Sequence, residues 1–131
     1  MVRKKKLVYV IDDDDSVRRA FQLLLQSADF DVEAFRSAEE FLEAASLGDD
    51  SCIILDMRMP GLTGVDLQKK LAARKIKIPV IVVSAYDDAA MRDLARELGA
   101  VACFRKPVDD QALLDAILWA LGEKRQEKKI L

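Results

Sequence analysis

The sequence predicts one α/β domain: a five-stranded parallel sheet, doubly wound, with helices on both faces. Three observations predict it. Five short apolar runs punctuate the chain, and the segments between them carry apolar residues at intervals of three and four, the helix period. Strands separated by helices must run parallel, and right-handed crossovers then distribute the helices over both faces. Finally, 131 residues that are 51% hydrophobic and 34% charged suffice for one enclosed core and leave little for a second domain.

The first run, Leu7-Val8-Tyr9-Val10-Ile11, is continuous and β-branched, as in a strand buried on both faces. Val17, Ala20, Phe21, Leu24, Leu25 and Ala28 follow as the stripe of a first helix. Asp31 to Phe35 alternates and reads as an edge strand. Ser37 and Glu40 have capping-box spacing ahead of Ala38, Phe41, Leu42 and Ala45, the second helix. Cys52 to Leu55 is the third strand and Val65 to Arg74 the third helix; Pro79 then leads into the fourth strand, Val80 to Val83. Met91, Leu94, Ala95 and Leu98 form a fourth helix stopped by Gly99. Val101 to Phe104 is the fifth strand, expected like the first, third and fourth to be buried on both faces. Asp109 caps a fifth helix running to about Leu121. Residues 1–122 thus form the domain, and 123–131 read as a charged tail or the start of a linker.

Composition removes several functions. With no histidine, the chain holds no Ser-His-Asp triad, no His-ligated zinc and no phosphohistidine. Lys+Arg 21 against Asp+Glu 23 leaves a net charge of −2, which argues against direct nucleic-acid binding through a broad basic face. Cys52 and Cys103 lie in apolar runs without a CxxC pair and read as buried reduced thiols. The basic start Met1 to Lys6 precedes an apolar run too short for a signal peptide or membrane span, so no membrane association and a cytoplasmic location are expected.

Ligands of parallel sheets bind beyond the carboxyl ends of the strands. There the sequence places Asp12 and Asp13 after the first strand, Asp56 after the third, Ser84 after the fourth and Lys106-Pro107 after the fifth. Each is ordinary alone, since acids cap helices and serines open turns. Together they put three carboxylates, a hydroxyl and an ammonium on one rim. Clustered carboxylates call for a cation, and oxygen donors without His or Cys favour Mg²⁺ or a similar ion such as Mn²⁺. A metal-neutralised aspartate beside a lysine and a hydroxyl suits a phosphoryl group, either forming or binding an aspartyl phosphate.

Val10-Ile11-Asp12-Asp13, Leu55-Asp56-Met57-Arg58-Met59-Pro60-Gly61 with Gly64, Val83-Ser84-Ala85 and Phe104-Arg105-Lys106-Pro107 together resemble the receiver domain of bacterial two-component response regulators. The likeness runs from Leu7 to about Leu121. It is greatest to the subgroup preceding LuxR-type helix-turn-helix output domains, through Asp-Met-Arg-Met-Pro-Gly and the stretch Leu98-Gly99-Ala100-Val101 to Lys106-Pro107. The resemblance implies a flavodoxin-like sheet of strand order 2-1-3-4-5. It implies that Asp56 accepts a phosphoryl group from a sensor histidine kinase, and that Asp12, Asp13, Asp56 and the Arg58 backbone carbonyl serve Mg²⁺. Ser84, Ala85 and Lys106 would contact the phosphoryl group, with a cis bond at Pro107. Ser84 would be the switch hydroxyl and Phe104, two residues before Lys106, the coupled aromatic. Arg58 and Tyr86 would tune the lifetime of the phosphorylated state. The subgroup's Gly-rich stretch after the switch hydroxyl is replaced here by Ala85-Tyr86-Asp87-Asp88.

On the fifth helix Leu113, Ala116, Ile117 and Ala120 supply a core stripe. Leu118 and Trp119 are then surplus, either packed on their own fold or forming a homodimer surface with the fourth helix. Two rival functions remain at this point. Ile11 to Ser16 resembles the DxDx(T/S) motif of haloacid-dehalogenase-type phosphatases, which would make Asp12 the nucleophile. A receiver-shaped interaction module that never takes phosphate is the other. On the preferred reading the domain phosphorylates and dephosphorylates itself without being a turnover enzyme, and an output domain would lie beyond residue 131.

Overall fold

In the computed structural model, which describes residues 6–44, 47, 50–85 and 89–123, five parallel strands lie in the order β2-β1-β3-β4-β5. They are β1 (Leu7–Ile11), β2 (Asp31–Phe35), β3 (Ser51–Asp56), β4 (Val80–Ser84) and β5 (Ala100–Arg105). The helices are α1 (Asp15–Ser27), α2 (Ala38–Ala44), α3 (Gly64–Ala73), α4 (Ala89–Glu97) and α5 (Asp110–Leu118), the last continued by a π-helical turn, Trp119–Glu123. The tail from Lys124, Tyr86 and Ala45 lie outside the described residues.

The sheet separates two cores, because alternate side chains of a strand point to opposite faces. Tyr9, Ile11, Ile53, Leu55, Val80 and Val82 pack with Phe41 of α2, Leu67 and Leu71 of α3 and Ala95 of α4. Val8, Val10, Cys52, Ile54, Ile81 and Val83 pack with Phe21 and Leu25 of α1 and Leu113 and Ile117 of α5. Tyr9 is fully buried and meets Phe41 edge-on, with ring centroids 5.4 Å apart.

Helix starts follow the residues that satisfy their free N–H groups. Asp14 caps α1 by accepting from Ser16 and Val17, so it serves the helix and not the acidic rim. Ser37 Oγ accepts from the Glu40 N–H at 3.0 Å. Thr63 and Asp66 form a reciprocal capping box on α3, and Asp109 accepts from Ala112 on α5. Gly99 ends α4 at φ +106°, a conformation open to glycine.

Two expectations are corrected. The fifth strand is not buried on both faces: it is the sheet edge, its residues are half-buried or exposed, and Val101 is exposed. Its apolar run reflects two cores that each cover part of it. Cys103 is likewise half-buried, while Cys52 is buried; both thiols are free.

Gly64 opens α3 against the end of β3. A Cβ there would lie 2.8 Å from the Met57 Cα and 2.9 Å from the Asp56 carbonyl oxygen, and backbone cannot step aside as a side chain can. Gly64→Ala is therefore expected to destabilise the fold by about 1–3 kcal/mol, read as a lower denaturant midpoint at unchanged slope.

Candidate functional site

The carboxyl ends of β1, β3, β4 and β5 form one rim, and the parallel register carries the sequence-predicted residues to it. The Asp12 N–H donates to the Phe35 carbonyl at 3.1 Å, the last bond tying this segment to the end of β2. Its side chain is 1% exposed. One carboxylate oxygen, Oδ1, accepts from the Asp14 N–H at 3.0 Å; the other, Oδ2, pairs with Lys106 Nζ at 2.8 Å. Arg18 Nη1 donates to the Asp12 carbonyl at 2.9 Å, and the same guanidinium is paired with Asp15. Asp56, also buried, accepts from the Arg58 N–H at 3.2 Å and lies 3.6 Å from Lys106 Nζ. Asp13 is exposed, yet an oxygen from each of Asp12, Asp13 and Asp56 lies within 4.8 Å of the others.

Lys106 is tied to the rim through its backbone. Its N–H donates to the Ser84 carbonyl at 2.8 Å, which ties the end of β5 to the end of β4, and the Lys106–Pro107 bond is cis. Ser84 is buried at the rim, Ala85 beside it is exposed, and Arg58 is exposed on the loop after β3.

Charge balance explains the titration of the cluster. Burial pushes the Asp56 carboxyl up to about 6, and the neighbouring Asp12 and Asp13 charges push the same way. The Arg58 N–H and Lys106 oppose them without prevailing. For Lys106, burial works to lower its pKa, but the hydrogen bond from the ammonium to Asp12 and the Asp56 charge outweigh it and hold the group above its usual value. The rim thus has more negative charge than one ammonium balances. An added divalent cation on oxygen donors would relieve that excess, and the donor set suits Mg²⁺ or Mn²⁺.

The excess has a measurable consequence. Asp56 titrates near 6 in the folded chain against about 3.9 unfolded, so its protonation favours the fold fully below about 3.9 and that contribution is lost as pH rises through about 6. Metal-free protein is expected to lose stability between about pH 4 and pH 7. Asp15 and Asp66, held low by Arg18 and by the Thr63 N–H respectively, act only near and below pH 4 and leave that window to Asp56. Denaturant midpoints across the window check this; a profile as steep in Asp56→Asn as in the parent chain would refute it.

One predicted pairing is not made. In β5 Cys103 packs with the α3–α4 core, whereas Phe104 packs with the α1–α5 core. Val82 is register partner of Cys103, and Val83 of Phe104. Ser84 has the parity of Val82 and borders a cavity of about 20 Å³ with Met57, Val82, Met91 and Cys103; Phe104 and Arg105 also border it, but the Phe104 side chain packs on the α1–α5 core. Phe104 therefore points its ring away from the face on which Ser84 lies. Spacing to Lys106 alone does not set the face of a residue on β5, which depends on its register with β4, where Val83 is opposite Phe104 and Ser84 opposite Arg105. On α5, Leu118 is 50% exposed and Trp119 half-buried.

The sequence reading also missed Glu39. From α2 its carboxylate accepts from the Leu62 N–H at 3.4 Å, bracing the loop after Asp56. No spacing rule links residues so far apart.

The chain is similar to known proteins over nearly its whole length. Residues 8–118 match the profile of the response regulator receiver domain. Nodulation protein W of Bradyrhizobium diazoefficiens is 40% identical over 125 residues, covering 95% of this chain and 55% of that protein. The transcriptional regulatory protein FixJ of Azorhizobium caulinodans is 40% identical over 120 residues, 92% of this chain and 57% of that protein. Among solved structures, the response regulator StyR superposes with a TM-score of 0.84 at 42% identity, covering 97% of this chain and 66% of that one. FixJ-N superposes with a TM-score of 0.82 at 34% identity, covering 90% and 94%. The chain spans about half the length of the curated relatives it matches.

Proposed function

Since the chain belongs to the response regulator receiver family, the signalling receivers of two-component systems, we propose that Asp56 is its phosphoacceptor. The observation that supports this most is the Lys106 ammonium held between Asp12 and Asp56, 2.8 and 3.6 Å from their oxygens, at the strand ends where such sheets bind ligands. Asp12, Asp13, Asp56 and the Arg58 carbonyl would hold Mg²⁺ or Mn²⁺, which when bound supplies positive charge to phosphoryl oxygens.

In the proposed reaction an Asp56 oxygen attacks phosphorus in line while the bond from phosphorus to a kinase imidazole nitrogen breaks. The electron pair leaves with that nitrogen, and the phosphoryl group ends on the carboxylate. Lys106 turns from Asp12 and Asp56 to a phosphoryl oxygen, so its charge follows the charge that arrives. The Ser84 hydroxyl and the Ala85 N–H donate to the remaining oxygens, and Ser84 acts as the switch. Arg58, exposed on the loop after β3, would govern the approach of hydrolytic water, and Tyr86, two residues after Ser84 in the sequence, is proposed for the same role.

The haloacid-dehalogenase-type reading is not supported. Asp12, its required nucleophile, is the carboxylate most closely held by Lys106, and the matched family is that of receivers. As partners we propose a sensor histidine kinase, as donor, and an output domain beyond residue 131, in keeping with the longer relatives. A homodimer face would run over α4 and α5, where Leu94 and Leu118 are exposed and Trp119 adjoins. The function is tested with acetyl phosphate and Mg²⁺: intact-mass spectrometry should show one phosphoryl group gained, and none in Asp56→Asn. Uptake retained by that variant would refute the assignment.

A further inference from the structure

Phe104 borders the space beside Ser84, but its side chain packs on the α1–α5 core, so the one aromatic ring of β5 is turned to the other side of the sheet from Ser84. The β5 residues on Ser84's side include its register partner Arg105 and, one step inward, Cys103, whose small side chain borders the cavity of about 20 Å³ that Ser84 also borders. That volume holds about one water and is far too small for a ring. The rest of its wall is Met57, Val82, Phe104 and Arg105 from the sheet side and Met91 and Arg92 from α4. Val82 is stiff and buried within β4, and Met57 is buried at the end of β3. Met91 differs: it is half-buried, unbranched, and mounted on a helix that covers a sheet edge.

We infer that Met91 of α4, passing over Cys103, is the side chain that fills the space Ser84 leaves, so that this receiver signals by drawing in α4 and not by rotating an aromatic on β5. The inference rests on the proposed phosphorylation of Asp56. When the Ser84 hydroxyl moves toward a phosphoryl oxygen, the cavity enlarges, and an enlarged apolar cavity is unfavourable in proportion to its volume. Cys103 leaves room for a thioether where a larger residue would not. Met91 is thus a positioning residue: it touches no phosphoryl oxygen and acts through Ser84 and α4. Because α4 carries exposed Leu94 and flanks exposed Val101, a shift of the helix reshapes the surface a partner would read.

The test uses the chain with ¹³C-methyl methionine, Mg²⁺ and beryllofluoride, a phosphoryl mimic. Bound fluoride, seen by ¹⁹F NMR, reports occupancy independently of the switch. The Met91 methyl signal, assigned with Met91→Leu, is expected to move on loading, and its relaxation by a soluble paramagnetic agent to fall about twofold as it leaves the surface. Cys103→Val, which fills the cavity, should bind fluoride yet lose that protection. Cys103→Ser, of nearly equal size, should keep it, and so should Phe104→Leu.

A Met91 methyl unprotected in loaded protein would overturn the inference. So would protection that persists in Cys103→Val or disappears in Phe104→Leu. If Cys103→Val does not fold, the parent chain and Phe104→Leu still decide. Absence of any bound-fluoride signal in the parent chain would instead refute the phosphoacceptor reading itself, and the inference with it.

Discussion

Asp56→Asn is expected to reduce phosphoryl uptake from acetyl phosphate by at least about three orders of magnitude, because it removes the attacking oxygen and not merely a neighbour that assists it. The substitution is close to isosteric, so the fold should persist. In metal-free protein at pH 7.5 it should even become more stable, since Asp56 contributes a charge that burial and the adjacent Asp12 disfavour. Loss of phosphorylation combined with a raised unfolding midpoint separates a functional residue from a structural one. Lost phosphorylation with a lowered midpoint would mean that Asp56 holds the rim together, contrary to the geometry given above.

Lys106→Ala is the second large effect, and its sign is opposite. Asp12 is 1% exposed and its Oδ2 is bonded to Lys106 at 2.8 Å, so the variant removes the ammonium from a buried carboxylate that has Asp56 beside it. Breaking a fully buried pair costs about 3–5 kcal/mol. Here roughly 2 kcal/mol is expected, because Lys106 is partly open to solvent and Asp56 can take up a proton. Denaturant unfolding at pH 7.5 measures it. Millimolar Mg²⁺ should recover part of the loss by supplying the missing positive charge, whereas it should add less to the parent chain. An unchanged midpoint in metal-free protein would show that Lys106 contributes nothing to the resting rim. Phosphoryl uptake should also slow, since the ammonium no longer meets the arriving charge.

The two variants differ because the rim combines a group that destabilises the resting fold with one that offsets it. Asp56 is kept, at some expense in stability, where a nucleophile is useful. Such conflicts between local stability and chemistry are characteristic of functional sites.

Much of this was legible before any coordinates. All five apolar runs end within one residue of the observed strands, and Asp12, Asp56, Ser84 and Lys106 were identifiable because strand ends are where such sheets bind ligands. The caps at Ser37 and Asp109 were readable because capping is local chemistry, settled within three residues. Burial of β5 was misjudged because apolar composition does not distinguish a central strand from an edge covered by two helices. The face of Phe104 is not legible for a related reason: the spacing to Lys106 gives a distance along the strand, not a face.

For this chain the sequence by itself determined the order of strands and helices and the chemistry gathered at the carboxyl rim. Periodicity, capping and strand-end position all act over a few residues, so they can be read in one dimension. Only the tertiary structure decided that Lys106 leans closer to Asp12 than to Asp56, and that Cys103 and not Phe104 shares a face with Ser84. Those facts depend on register across the sheet and on the packing of α4, where residues far apart in the chain meet and a shift of one position exchanges the two faces.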